Sequence, residues 1–258
     1  MAIPPVALVR QYDTHRLIPS RHLPRRDSVL VAIADDDDHL QAIFALDAAT
    51  NERVLAAEQL LPGIGLEELV FAVPHATVIN ASFCHAHPLG SRFNGPGRGA
   101  WYAGFDVETA QAEVAFHKTV QLAEVNRFED SVTYDDYLAD FSATFHDLRA
   151  APAARASTQR VRGQAAHRFA DYLDPASYVA SQGLAEQLFE SGSLGIVYPS
   201  VRHAGGTCVA CFRPALVGNV RRGKTYRFTW SGSPEPAIVV RGRDQESGIA
   251  IRSVTGED

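Results

Sequence analysis

The stretch that decides the fold is residues 90–117, GSRFNGPGRGAWYAGFDVETAQAEVAFH. Its first ten residues are rich in Gly, Pro and Asn, which predicts a loop with tight backbone turns. Residues 100–105 form a short aromatic run typical of a strand, and Asp106 is a suitable N-cap for a helix over residues 107–125. A loop, a strand and a helix therefore follow one another directly. Each carries one polar side chain of interest, in order Arg92, Tyr102 and Glu113.

These three side chains are suited to binding and breaking a charged nucleotide. The Arg92 guanidinium is a planar donor that fits phosphate, although an Arg in such a loop also fits nearby carbonyl groups. Tyr102 offers a flat ring for stacking, or it is a core aromatic with a bonded hydroxyl. Glu113 shares a helix face with Ala110 and Val114. A carboxylate there either reaches an ion pair or solvent, or it stabilises positive charge during glycosidic cleavage.

Two more candidate binding residues, Ser200 and Arg202, lie far downstream. They follow an apolar run at residues 195–199 that ends in proline. The end of a strand is a good place from which to present side chains to a cleft. The alternative is a turn serine that caps its own backbone.

The rest of the chain predicts a mixture of strands and helices. Short strands are expected at residues 6–9, 28–34, 77–83, 194–198, 207–212, 220–230 and 237–241. Apolar spacing predicts helix within residues 40–61, and Asp174–Pro175 predicts a helix start with Gly192 as its stop. Residues 126–163, which include an Ala/Arg-rich linker, predict a surface excursion. Because these elements do not alternate as βαβ units, the predicted fold class is α+β.

Composition excludes several classes of protein. A chain of 258 residues can bury one sizeable core. Its net charge of −6 argues against a large nucleic-acid footprint. No apolar run approaches the ~20 residues of a membrane span, and the first residues lack the apolar run of a secretory signal. Three cysteines do not suggest a disulfide framework, so a cytoplasmic location is expected.

The cysteines raise the question of a metal site, which their placement disfavours. Cys208 and Cys211 fall within one predicted strand, and their odd offset sends the two side chains to opposite faces. A free cysteine also behaves as a small buried hydrophobe. No metal is therefore expected.

Several motifs together resemble the RES-domain family, whose members are typically toxins of bacterial RES/Xre-type toxin–antitoxin pairs. In chain order they are HRLIPSR (15–21), the 90–117 block, DPASYVASQGLAEQL (174–188), GSLGIVYPSVRHAGGTCVACFRP (192–214) and YRFTWSG (226–232). The 90–117 block and the IVYPSVR segment are the most specific. One departure is Phe93, which stands where the family commonly has Trp in Gly-Gly-Arg-Trp-Asn.

The resemblance implies an ADP-ribosyltransferase-like fold, a split β core with helices around an NAD cleft. By this resemblance the active-site roles fall to Arg92, Tyr102 and Glu113. Ser200 is the family's serine. The N-terminal arginine of the NAD pocket corresponds to Arg16, with Arg10 and Arg21 as alternatives. The whole chain, residues 1–258, is expected to be one RES-type domain with an N-terminal extension of about residues 1–75.

The implied activity consumes NAD as a substrate. Cleavage of the nicotinamide–ribose bond passes ADP-ribose to phosphate or water, or, alternatively, to a specific cellular protein. A further alternative is a non-enzymatic nucleotide-binding partner of a DNA-bound repressor. The implied partner is an antitoxin with a helix-turn-helix DNA-binding segment, without direct nucleic-acid or membrane contact by this chain. Whether the chain also forms a homodimer stays an open question.

Overall fold

A computed structural model describes residues 3–22, 63–149 and 169–241 of the chain. The strands of these residues are β1 (Val6–Pro19), β2 (Trp101–Gly104), β3 (Glu129–Asp147), β4 (Gly195–Pro199), β5 (Thr207–Cys211), β6 (Gly218–Ser231) and β7 (Ala237–Val240). The α-helices are α1 (Ala76–Cys84), α2 (Val107–Glu124) and α3 (Val179–Glu190). The strands form one mixed sheet, so the predicted α+β class is confirmed.

The sheet is organised around β3, whose two edges have different partners. One edge pairs with β1 from Tyr134 to His146. The other edge is divided, because β6 pairs along residues 129–140 whereas β4 pairs in parallel only at His146 and Asp147. β5 and β2 continue from β4, and β2 returns to β1. The sheet is therefore split along β3, with five of its strands closed into a ring.

The described residues form three buried clusters that pack against this sheet. The inner cluster packs α1 against the ring and includes Phe83, Trp101 and Phe145. A second cluster packs α3 against the outer face of β4 and β5, and a third packs α2 against β1, β3 and β6. Cys211 belongs to the inner cluster and Cys208 to the second, which confirms that their side chains take opposite faces of β5.

Two sequence predictions were wrong about the type of element. Residues 77–83 form most of helix α1 and not a strand, since the buried Ile79 and Phe83 lie four residues apart on one helical face. The surface excursion over residues 126–163 is wrong for residues 129–147, which form the longest of the described strands. Alternating buried residues from Tyr137 to Phe145 give the strand its period of two.

Other elements have different bounds from those predicted. β1 runs to Pro19, well beyond the strand expected at residues 6–9. Helix α3 begins at Val179 and not at Asp174, because the Asp174 carboxylate accepts from the backbone N–H of Ala176 in a turn before the helix. Gly192, with a φ of +80°, does follow the helix end as expected.

Some predictions lie outside the described residues, namely the strand at 28–34, the helix within 40–61 and the linker part of the 126–163 excursion. The division into one domain with an N-terminal extension stays a prediction. Among the helices described, none has the length and apolar character needed to cross a membrane.

The central position of β3 predicts a large stability difference between neighbouring residues. Phe145 is fully buried in the inner cluster, whereas Thr144 is exposed. We expect Phe145→Ala to lower the free energy of unfolding by about 3–5 kcal/mol, through lost burial and a cavity. Thr144→Ala is the matched control, expected within about 0.5 kcal/mol of the wild type. Urea unfolding measures both, and equal losses would contradict the strand's placement.

Candidate active site

The loop that carries Arg92 is shaped by a tight backbone turn. Gly90 has a φ of +70°, and a Cβ there would collide with the carbonyl oxygen of Asn94. The N–H of Ser91 donates to that same carbonyl at 2.9 Å. Helix α3 holds the loop from outside, where the Gln182 side-chain amide donates to the carbonyls of Leu89 and Ser91.

Arg92 points inward from this loop and is buried. Its Nη1 donates to the Asp174 carbonyl at 2.8 Å and to the Tyr172 carbonyl at 3.4 Å. The guanidinium also lies over the Tyr178 ring, 4.6 Å from its centroid. All of these groups lie in the segment before α3. The guanidinium therefore bonds carbonyls, as the alternative reading allowed, but carbonyls of another segment rather than of its own loop.

Tyr102 on β2 uses its hydroxyl to hold the same loop. The oxygen accepts from the N–H of Phe93 at 2.9 Å, and the hydroxyl donates to Asn94 Oδ1 at 2.7 Å. Burial raises the pKa of Tyr102 strongly, so its proton stays in place. The hydroxyl thus has a structural partner at each side, which fixes the loop relative to the strand.

Glu113 lies on α2, which begins as predicted with Asp106 as its N-cap. The Ser200 hydroxyl donates to Glu113 Oε1 at 2.7 Å, and the Cys208 thiol lies 3.8 Å from the same oxygen. Within residues 3–22, 63–149 and 169–241 no ion pair involves Glu113. The ion-pair alternative for this half-buried carboxylate is therefore not what the structure shows.

Ser200 is held in turn by the backbone that follows it. Its Oγ accepts from the N–H groups of Arg202 at 3.1 Å and His203 at 3.0 Å. The serine thus caps its own turn and at the same time donates its single proton to Glu113. In this structure that proton is directed at Glu113. The ligand-binding role of Ser200 stays a prediction.

The turn is also attached to the start of α2. The Thr109 hydroxyl lies 2.9 Å from His203 Nδ1, and Asp106 lies 3.7 Å from that nitrogen. Gly206 fits closely against both side chains, since a Cβ there would collide with Thr109 and lie 2.9 Å from His203. Helix α2 and the turn that follows β4 are therefore fixed to each other at two points.

Arg16 is the arginine of β1 that reaches this region. Its Nη1 donates to the Tyr102 carbonyl at 3.0 Å, and its guanidinium lies 5.0 Å from the centre of the Trp101 ring. Burial lowers the pKa of Arg16 to about 10, so the side chain stays charged at neutral pH. Arg10 and Arg21 were the alternatives to Arg16. Arg10 is exposed. The charge of Arg21 contributes to the lowered pKa of Asp130 and opposes the raised pKa of Tyr134, which belongs to the third cluster.

Arg202 connects α2 to the segment before α3. Its guanidinium lies over the Phe116 ring, 3.3 Å from the centroid, and Nη2 donates to the Pro175 carbonyl at 2.7 Å. Pro175 is close in sequence to Asp174, whose carbonyl accepts from Arg92. Both arginines thus hold the same segment.

Buried Tyr198 on β4 lies between the Arg92 loop and the surroundings of Glu113, because its ring centroid is 4.8 Å from that of the Phe93 ring and its backbone pairs with Cys208. Burial raises the pKa of Tyr198 well above the ordinary value, the Glu113 charge adds to the rise, and the Arg92 charge opposes it. The structure therefore brings all the predicted site residues to one region. They are Arg16, Arg92, Tyr102, Glu113, Ser200 and Arg202.

Sequence reasoning missed the residues that hold this arrangement. Nothing in the sequence set Asn94 and Thr109 apart from other polar residues, which are common in loops and at helix starts. Cys208 was considered as a metal ligand and as a buried hydrophobe, but not as a contact of Glu113. Its offset of eight from Ser200, across a Gly-rich turn, is the signal that places the two on adjacent strand ends. Among the described residues no cluster of His, Cys, Asp and Glu fits a metal ion.

Comparison with known proteins agrees with the sequence motifs. The model of the RES domain matches residues 69–231, which is more than half of the chain. A chain in the crystal structure of the M. tuberculosis MbcT–MbcA toxin–antitoxin complex is similar with a TM-score of 0.38 and 14% identity, over 55% of this chain and 73% of that chain. No curated protein is significantly similar in sequence.

This chain is a member of the RES-domain family. The sheet, with one edge of β3 divided between β4 and β6, forms the split β core that the family resemblance predicted.

The double role of the Tyr102 hydroxyl gives a testable stability effect. Tyr102→Phe leaves the N–H of buried Phe93 without its acceptor, so we expect the free energy of unfolding to fall by about 1–3 kcal/mol. Amide hydrogen exchange at Phe93 should accelerate. Tyr12→Phe, at a largely exposed tyrosine, is the control and should change neither quantity. Unchanged exchange in Tyr102→Phe would show that the loop is held by other contacts.

Proposed function

We propose that this protein is the toxin of a toxin–antitoxin pair and cleaves the nicotinamide–ribose bond of NAD, passing ADP-ribose to phosphate or water. The observation that carries the proposal is the environment of the Glu113 carboxylate. It is a half-buried carboxylate with no ion-pair partner among the described residues, oriented by Ser200 in the region that holds Arg16 and Arg92. Membership of the RES family supports the same assignment.

Glu113 supplies the negative charge that the reaction needs. Departure of nicotinamide leaves positive charge on the ribose, and a preorganised carboxylate stabilises that charge without first having to reorient. Ser200 fixes Oε1, while no hydrogen bond of the described residues reaches Oε2. Oε2 is therefore the oxygen we assign to the substrate ribose. Nicotinamide leaves as a neutral molecule, so the proposal includes no metal.

The arginines are proposed to bind the pyrophosphate of NAD. In this structure Arg92, Arg16 and Arg202 donate to neutral carbonyl oxygens. Bonds to a charged phosphate are roughly twice as strong, so a phosphate competes well for these donors. Arg92 is the main candidate because it lies nearest the loop glycines, with Arg16 and Arg202 supporting it. The Tyr102 ring is assigned to the nicotinamide and its ribose, a role its bonded hydroxyl leaves open.

The proposed setting is a reducing cytoplasm with an antitoxin as partner. All three cysteines of the chain are buried and free of disulfides, which suits such a compartment. RES-family toxins are paired with antitoxins that carry a helix-turn-helix segment, and we extend that expectation to this chain.

Transfer of ADP-ribose to a cellular protein begins with the same bond cleavage and therefore uses the same residues. Biotinylated NAD added to cell lysate distinguishes the two activities. Discrete labelled protein bands favour protein modification, whereas ADP-ribose or its 1″-phosphate as the sole product favours NAD depletion. A non-enzymatic nucleotide-binding role predicts NAD binding without any nicotinamide release.

The role of Glu113 predicts a large and selective loss of turnover. We expect Glu113→Gln to reduce nicotinamide release by about a hundredfold or more while the free energy of unfolding stays near that of the wild type, because an amide cannot offset the developing charge. Glu108→Gln, at an exposed position in the first turn of the same helix, is the matched control. Full turnover by a folded Glu113→Gln variant would remove the carboxylate from the mechanism.

Phosphate dependence identifies the acceptor. If phosphate accepts ADP-ribose, nicotinamide release by the wild type should rise with phosphate concentration at constant ionic strength. Sulfate at equal ionic strength is the control, because it resembles phosphate in shape but is a poor nucleophile. The product completes the assignment, because ADP-ribose 1″-phosphate identifies phosphate as the acceptor and free ADP-ribose identifies water.

A further inference from the structure

Among the described residues, Cys208 is a contact of the Glu113 carboxylate that the proposed function leaves unused. It lies on β5 with its side chain almost fully buried, and its sulfur is 3.8 Å from Glu113 Oε1. The Ser200 hydroxyl reaches the same oxygen at 2.7 Å. Two donors therefore converge on Oε1, and Oε2 has no such partner among the described residues.

The Cys208 side chain is a protonated thiol in this environment. Burial raises the pKa of the Cys208 thiol, and the nearby Glu113 charge raises it further, against smaller opposing effects of the Ser200 and Tyr198 hydroxyls. A protonated thiol is a weak hydrogen-bond donor. It is therefore able to donate to a carboxylate, whereas a thiolate at this distance would repel it.

The backbone of Cys208 is paired on both sides, whereas Ser200 lies just beyond the end of β4. Cys208 pairs with Tyr198 on β4 and with Gly104 on β2, so it lies inside the sheet with a strand on each side. Ser200 lies in the turn after β4. The thiol thus connects the Glu113 carboxylate directly to the sheet, and this contact does not involve the turn after β4.

We propose that Cys208 is a positioning residue, whose thiol acts with the Ser200 hydroxyl to hold Glu113 Oε1 and so presents Oε2 to the substrate. The inference rests on the proposed role of Glu113 in cleavage. It assigns to a buried cysteine a part in turnover rather than in core packing alone.

The first test compares matched substitutions at the two buried cysteines of β5. Cys208→Ala removes the donor, so we expect kcat for nicotinamide release to fall about five- to tenfold with KM for NAD within twofold. Cys208→Ser keeps a donor and should restore kcat to within about twofold. Cys211→Ala removes an equally buried sulfur whose partner is the Arg213 carbonyl, and it should leave kcat within twofold.

Two results of this comparison would overturn the proposal. In one, Cys208→Ala and Cys208→Ser are equally slow. In the other, Cys211→Ala slows the enzyme as much as Cys208→Ala does. Either result would show that packing of β5 matters, and not the donor at position 208.

The second test does not depend on activity. The infrared S–H stretching band of Cys208 is identified as the one lost in Cys208→Ala. A thiol that donates to a carboxylate should have its band move to higher wavenumber in Glu113→Gln, while the bands of Cys84 and Cys211 stay in place. An unmoved Cys208 band overturns this inference even if NAD is cleaved. If the band moves but the wild type releases no nicotinamide, the contact between Cys208 and Glu113 is supported and the proposed function is contradicted.

Discussion

The hydrogen bond from Ser200 to Glu113 is the constraint on which the candidate site depends, because it connects two elements that are distant in sequence. Glu113 lies on α2, against the third cluster, whereas Ser200 lies in the turn after β4. The turn is fixed by its own backbone N–H groups and by Thr109 at the start of α2. The carboxylate therefore has a defined orientation before any ligand arrives, and preorganisation of this kind is what stabilises charge in a transition state.

The arginines of the candidate site donate to carbonyl oxygens rather than to carboxylates. Arg92 is buried yet has no acidic partner among the described residues, and it bonds the carbonyls of Tyr172 and Asp174. A buried arginine without a counterion keeps a net positive charge that an anionic ligand is able to neutralise. By contrast, Arg98 and Arg213 share Glu68 in a separate ion-pair group. Arg92 and Arg98, six residues apart, thus have different surroundings.

Much of the fold near the site could be predicted from the sequence, and the failures have physical reasons. The loop, β2 and α2 follow from local signals: glycines, an aromatic run and the Asp106 cap. β3 was missed because Asp135 and Asp136 suggest a surface, whereas in the fold their partners Arg222 and His15 come from distant strands. The candidate residues came from local patterns and, for Arg16, from the family resemblance, but neither source predicted their contacts. Ser200 donates to Glu113, and Arg92 donates to carbonyls of the segment before α3. Both contacts depend on tertiary pairing that local sequence does not encode.

A double-mutant cycle between Ser200 and Glu113 tests the central claim most directly. A hydrogen bond to a charged group contributes about 1.5–3 kcal/mol, so Ser200→Ala should slow nicotinamide release by roughly ten- to a hundredfold in the wild type. The same substitution should slow Glu113→Gln by less than about twofold, because the charged group that Ser200 orients is already gone. Equal slowing in both backgrounds would contradict the account and show that Ser200 acts independently of Glu113.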